Sequence, residues 1–166
     1  MKQHAHRWLQ RGLLLLVVWV AGCATQSPAP KAAVEAQTHW QGKLALRVFS
    51  KPVQALSASF DLQGHPEAGE LTLSSPLGTT LARLQWDANS ATLTANGEQK
   101  NYGSLQELAR KATGSDLPVA SLFAWLQGRE DAAPGWQVDL KDLPNGRIQA
   151  HHTEAVQAEL KIILER

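Results

Sequence analysis

With one cysteine in 166 residues, the chain cannot form an internal disulfide, a cysteine-based zinc site or a redox pair. Charge of one sign is also scarce: 16 Lys and Arg stand against 15 Asp and Glu, so the basic face of a nucleic-acid binder is absent. No Gly-x-x-x-x-Gly-Lys-Ser/Thr loop and no Gly-x-Gly-x-x-Gly turn occurs, and no nucleotide site is signalled. His-Glu-x-x-His and Gly-x-Ser-x-Gly are missing too. His151-His152 lacks a third ligand at suitable spacing, and neighbours on a strand point to opposite faces, so both read as surface histidines and no metal site is expected. Glu130-Asp131 beside Arg129 reads as a solvated loop, and Ser74-Ser75 has no histidine at a telling offset. These absences point away from an enzyme, and no cofactor is expected.

What is present begins at the N-terminus. Met1–Arg11 carries Lys2, Arg7 and Arg11 and no acid, Leu13–Val20 is unbroken apolar sequence, and Ala21-Gly22-Cys23 follows. A charged region, a short apolar region and small residues at a cleavage point make a secretory signal, and the run is too short for a lasting membrane span. Val20-Ala21-Gly22-Cys23 resembles the lipobox of bacterial lipoproteins, in which the cysteine thiol takes a diacylglycerol. The expected organisation is a lipoprotein signal peptide over 1–22, a lipidated tether over 23–38 and a globular domain over 39–166. Removing the leader leaves 144 residues and 13 basic against 15 acidic side chains, about −2 in charge. Residues 24–37, with serine, two prolines and many alanines, suit a tether.

The domain reads mainly as β. Trp40, Leu44, Leu46 and Val48 alternate with polar or small residues, and so do Leu56, Ala58, Phe60 and Leu62. Leu71 and Leu73, Ala82 to Trp86, and Ala91 to Ala95 continue the series between short turn-forming breaks. Such a succession predicts an antiparallel meander that curls or closes to hide its edges. Ser104 and Glu107 form a capping box before a helix that Gly114 can stop. A second helix is expected over 118–127, apolar on too many sides for a single stripe, as a lid over a sheet would be. Trp136, Val138 and Leu140, then Val156 to Leu164, return to the strand period.

Two features bear on function. Of six tryptophans, Trp40, Trp86, Trp125 and Trp136 fall in or beside elements of the domain; each can be plain core, and together with a lid they can line a hollow half-open barrel. Ser75-Pro76-Leu77-Gly78 suits a type I turn with leucine in the bend. Leu77 either folds back to plug the end of the sheet or stands out as an apolar tip for a membrane or partner.

Taken together, Trp40-Gln41-Gly42-Lys43-Leu44-Ala45, Leu71-Thr72-Leu73 leading into Ser75-Pro76-Leu77-Gly78, Gly114 with Leu117-Pro118, Leu122, Trp125-Leu126, Gly128 and Gly135-Trp136 resemble the LolB family of Gram-negative outer-membrane lipoproteins. The resemblance implies a mainly β (α+β) fold, an unclosed antiparallel β-barrel with a helical lid over an apolar cavity. It implies a non-enzymatic receptor, facing the periplasm, that takes lipoproteins from a LolA-like carrier by their acyl chains and delivers them to outer-membrane lipid. Lipidation then falls to Cys23, the delivery loop to Pro76, Leu77 and Gly78, and the cavity wall to Leu44, Leu46, Phe60, Leu71, Leu84, Trp86, Leu122 and Trp125. A monomer is expected. A lipid-binding or envelope-assembly lipoprotein that hands nothing on is the alternative. The absence of aspartate after Cys23, where Ala24-Thr25 stands, favours the outer membrane. The short 128–136 segment, where longer members insert more sheet, implies a smaller barrel or a missing hairpin.

Overall fold

The computed structural model describes residues 39–154 and 156–165, so Cys23, the leader and the tether lie outside the described residues. Nine strands make one antiparallel sheet: β1 (His39–Val48), β2 (Gln54–His65), β3 (Ala68–Ser74), β4 (Thr80–Trp86), β5 (Ala91–Ala95), β6 (Glu98–Tyr102), β7 (Trp136–Asp139), β8 (Arg147–His152) and β9 (Ala158–Leu164). The order across the sheet is β6-β5-β4-β3-β2-β1-β9-β8-β7, with β6 and β7 at the two edges, so the barrel is not closed. Alternation sets the faces. The even-numbered residues of β1 and β2 and the odd-numbered ones of β3 turn toward the core, including Trp40, Leu46, Phe60, Leu62 and Leu73.

Between the edge strands the chain forms α1 (Leu105–Thr113) and α2 (Val119–Leu126). Ser104 Oγ accepts the Glu107 N–H at 3.1 Å, while Glu107 Oε2 accepts from Gly103 rather than from the cap residue itself, at 2.9 Å. Gly114, left-handed at φ 68°, donates its N–H to the Arg110 carbonyl and ends α1. In α2 Ser121 and Phe123 to Leu126 are all buried, as a helix with neighbours on most sides must be.

Alternation in the sequence accounts for seven of these strands; β6 and β8 are not expected from it. β6 reads Glu-Gln-Lys-Asn-Tyr and buries almost nothing, so it offers no apolar period. It exists because Asn96 (φ 54°) and Gly97 (φ 78°) turn the chain in the left-handed pair that closes a two-residue hairpin. β8 buries only Ile148 and Ala150, too short an alternation to stand out. Between Gly128 and Trp136 the described chain adds only an isolated bridge, Ala133 to Trp136. His152 is also not a surface histidine: its ring lies 5.3 Å from that of Trp136, and Nδ1 is 2.8 Å from the Val156 carbonyl.

Candidate functional site: an apolar cavity and its rim

Because β1 to β6 form an uninterrupted meander, the β1–β2, β3–β4 and β5–β6 connections stand at one end of the sheet. The β2–β3, β4–β5 and β7–β8 connections stand at the other. That second end is closed by aromatics. Phe123 of α2 meets Trp40 at 5.9 Å and Trp86 at 6.3 Å between ring centres, both edge-on. Trp86 is fixed there by its indole N–H, which donates to the His65 carbonyl at 3.0 Å. Gly69 makes this possible, since a Cβ on it would stand 2.6 Å from the Trp86 ring.

Between the inner face of the sheet and the two helices is a cavity of about 410 Å³, within the range of small-molecule sites. Its wall is almost wholly hydrocarbon: among the described residues, Thr113 and the indole nitrogen of Trp86 are its only side-chain polar groups. Neither is available to a guest. Thr113 Oγ1 donates to the Ala109 carbonyl at 2.8 Å, and the indole N–H is held by His65. A polar head entering this space would lose water and gain no partner, whereas methylene groups lose nothing. The cavity selects hydrocarbon.

Among the described residues, only Leu81 and Ala112 both line the cavity and lie exposed. Leu81 belongs to a register irregularity where Leu73 faces Ala82 but Ser74 faces Thr80, so it escapes the alternation of β4. Ala112 is in the last turn of α1, and the Cβ position of Gly114 there lies 3.7 Å from Gln54, the first residue of β2. The mouth is thus at the end carrying the β1–β2 and β3–β4 connections. At that end stands the Ser75–Gly78 turn, closed by the Gly78 N–H to Ser75 carbonyl bond (2.9 Å) and the Ser75 N–H to Thr79 carbonyl bond (2.8 Å). Leu77 at its tip is 95% exposed; it does not fold back to plug the sheet.

Of the residues expected in the wall, Leu44 and Leu46 of β1, Phe60 of β2 and Leu71 of β3 line the cavity. Leu84 and Trp86 of β4 and Leu122 of α2 do so as well. Trp125 is not among the lining residues. It is 1% exposed, 6.3 Å from the Trp136 ring, and donates its indole N–H to the Asp131 carbonyl at 2.9 Å. The Asp131 carboxylate also accepts the Ser121 hydroxyl at 2.9 Å, so Asp131 ties its loop to α2 and is more than a solvated charge. Trp125→Ala is therefore expected to cost about 3–5 kcal/mol of stability, read as a lower urea midpoint for the chain. Leu56 and Leu93 were legible from the same alternation, while Leu105, Leu108 and Leu160 required knowing which elements face the hollow.

An unclosed antiparallel half-barrel with two helices over a hydrocarbon-lined hollow defines the class of fold. The family model for outer membrane lipoprotein LolB matches residues 16–161. Named outer-membrane lipoprotein LolB, a Bordetella petrii protein is 33% identical over 157 residues, covering 92% of this chain and 76% of the relative. Its Chromobacterium violaceum namesake is 32% identical over 128 residues, 74% of this chain and 68% of that one. The Shewanella putrefaciens protein of that name is 32% identical over 124 residues, 70% of this chain and 56% of its own length. The chain belongs to the LolB family.

Proposed function

We propose that the chain is an outer-membrane-anchored receptor that accepts lipoproteins from a LolA-like periplasmic carrier by holding their acyl chains in the cavity, and then delivers them to the outer membrane. Family membership supports the assignment, and one observation carries it: a cavity with no free polar group opens beside a fully exposed leucine. In this reading residues 1–22 are a lipoprotein signal, Cys23 carries the anchoring lipid, and 23–38 tether a monomeric domain facing the periplasm.

The physical need is plain. Passing one acyl chain of about 15 methylenes through water costs about 12 kcal/mol, at about 0.8 kcal/mol per methylene. A direct passage from the carrier's interior to this cavity avoids most of that cost. The sequence has no nucleotide-binding motif, so the transfer runs down a gradient of affinity from carrier to receptor to bilayer, and no chemical step is assigned. The unsealed edges β6 and β7, bridged by α1 and α2, allow the helices to move relative to the sheet as cargo enters and leaves.

The test is to mix the purified protein with carrier loaded with a lipoprotein and follow the cargo without added nucleotide. Movement of cargo onto this protein is expected; cargo that stays on the carrier refutes the assignment. Anchoring and acceptance should also separate. A Cys23→Ser form exported with an ordinary secretory leader is expected to accept cargo at the normal rate but to deliver less of it to the outer membrane, measured by membrane fractionation.

A further inference from the structure

Five large apolar side chains are exposed among the described residues, and four of them, Phe49, Val53, Leu77 and Leu81, stand at the cavity-mouth end of the sheet. Scattered singly, exposed apolar residues mean little; gathered on one rim, they mark a surface that meets something apolar. Leu77 and Leu81 belong to the turn already described and its edge of the mouth. Phe49 and Val53 belong to a different loop, the β1–β2 connection, and are 42% and 58% exposed.

This loop is built. The Phe49 N–H donates to the Gln157 carbonyl at 2.8 Å, and the Ser50 hydroxyl donates to the Pro52 carbonyl at 2.6 Å, folding the segment on itself with both apolar side chains outward. Lys51 is its only charge, and the Ser75–Thr79 loop has none. The other connections at this end contribute Glu98 and Glu154 at their flanks.

The opposite end is more polar. It has only one of the exposed large apolar residues, Ile163 near the end of β9 and opposite Arg147, and its connections hold Glu67, Asp87, Lys141 and Asp142. All three carboxyls sit below their ordinary range: Glu67 through its hydrogen bond with His65, Asp87 through the Asn89 backbone N–H, and Asp142 through the Asn145 amide and then Arg147. That end is charged and hydrogen-bonded, with Arg147 on Asp142 and His65 on Glu67, whereas the rim is apolar. The boundary between headgroups and acyl chains would exclude such groups and accept the rim.

We propose that the Phe49–Val53 loop is a second bilayer-contacting element, with Phe49 and Val53 entering the boundary between headgroups and acyl chains and Lys51 meeting a lipid phosphate, so that the domain docks mouth-down on two loops. This rests on the delivery role proposed above. A protein surface fits less well, because the two loops offer separate apolar tips and a lone cation. Chain length allows the arrangement. The domain starts at His39, at the far end, but the 16 residues 23–38 can reach about 55 Å. The 12-residue strand β2 is only about 40 Å long, so the anchor and the mouth can meet the same membrane.

The full lipidated chain in phosphatidylethanolamine vesicles, with or without phosphatidylglycerol, provides the test. Single variants Val53→Cys, Leu77→Cys and Ala88→Cys each carry an environment-sensitive fluorophore, and spin-labelled lipids act as quencher. Positions 53 and 77 are expected to be quenched, and position 88, at the opposite end, to remain in water. Adding Lys51→Gln to the position-53 probe should lower its inserted-to-aqueous ratio about fivefold with phosphatidylglycerol present and leave it unchanged without. Quenching at 77 with an aqueous 53 would overturn the two-loop docking and leave the receptor reading standing, since cargo transfer is measured on the same vesicles. A position-53 signal that responds to the carrier protein and not to lipid would assign the loop to the carrier instead. Equal responses of Lys51→Gln in both vesicle types would remove the lysine from the contact.

Discussion

Leu77→Glu is expected to leave acceptance of cargo from the carrier at its normal level while abolishing delivery to membranes. In the proposed function acceptance uses the cavity, and Leu77 is not part of its wall. Folding should be untouched, because a side chain 95% exposed contributes no core contact and the turn is held by backbone bonds and Gly78 at φ 84°. At the bilayer the change is severe. Burying a leucine there gains about 1.5–3 kcal/mol, and a carboxylate at the same depth costs about 2.5–3.5 kcal/mol. Discounting for shallow insertion, a loss of about 3 kcal/mol remains, which lowers delivery by more than about a hundredfold. The measurement is cargo partition between protein and vesicles after a single loading, with unchanged circular dichroism as the folding control.

The second large effect is the converse. Ala82→Trp is expected to abolish acceptance itself while keeping or raising stability. Ala82 is half-buried in β4, opposite Leu73 and Ala95, and lines the cavity near its mouth. An indole there fills space that cargo would otherwise occupy. Displacing about four methylenes removes about 3 kcal/mol of binding, again more than about a hundredfold. Because the ring enters a hollow and not a packed interior, the usual penalty of overpacking is not expected. The melting temperature and the carrier-to-receptor transfer rate should therefore move independently. If the hollow were ordinary core, the same substitution would lower stability and leave transfer alone.

The two outcomes separate parts of the molecule that the sequence revealed unequally. The walls were legible because period-two alternation and burial are the same physical fact: once Trp40 and Leu46 are placed inward, Leu44 must follow, as must Leu71 and Leu84 in their own strands. The capping box of α1 was legible through local chemistry. β6 was not, since an edge strand facing solvent needs no apolar residues and betrays itself only through Asn96-Gly97. Leu81 could not be read from alternation, because a register irregularity moves it to the mouth. Trp125 packs away from the wall, which sequence does not disclose, because on a helix apolar all round the face toward the hollow and the face toward Trp136 look alike. For Leu77, turn chemistry fixed the bend, but only the surroundings of the turn decide whether its leucine plugs or protrudes.

The central claim is that acyl chains lie between the sheet and the two helices. A lipoprotein carrying a photoreactive group midway along its acyl chains, loaded on the carrier and transferred to the full chain, tests it most directly. Irradiation should place cross-links on inward residues such as Leu93, Leu122 and Phe123, and Ala82→Trp should remove them. Cross-links confined to the outer face, at Lys43, Arg47 or Lys161, while transfer proceeds normally would contradict it.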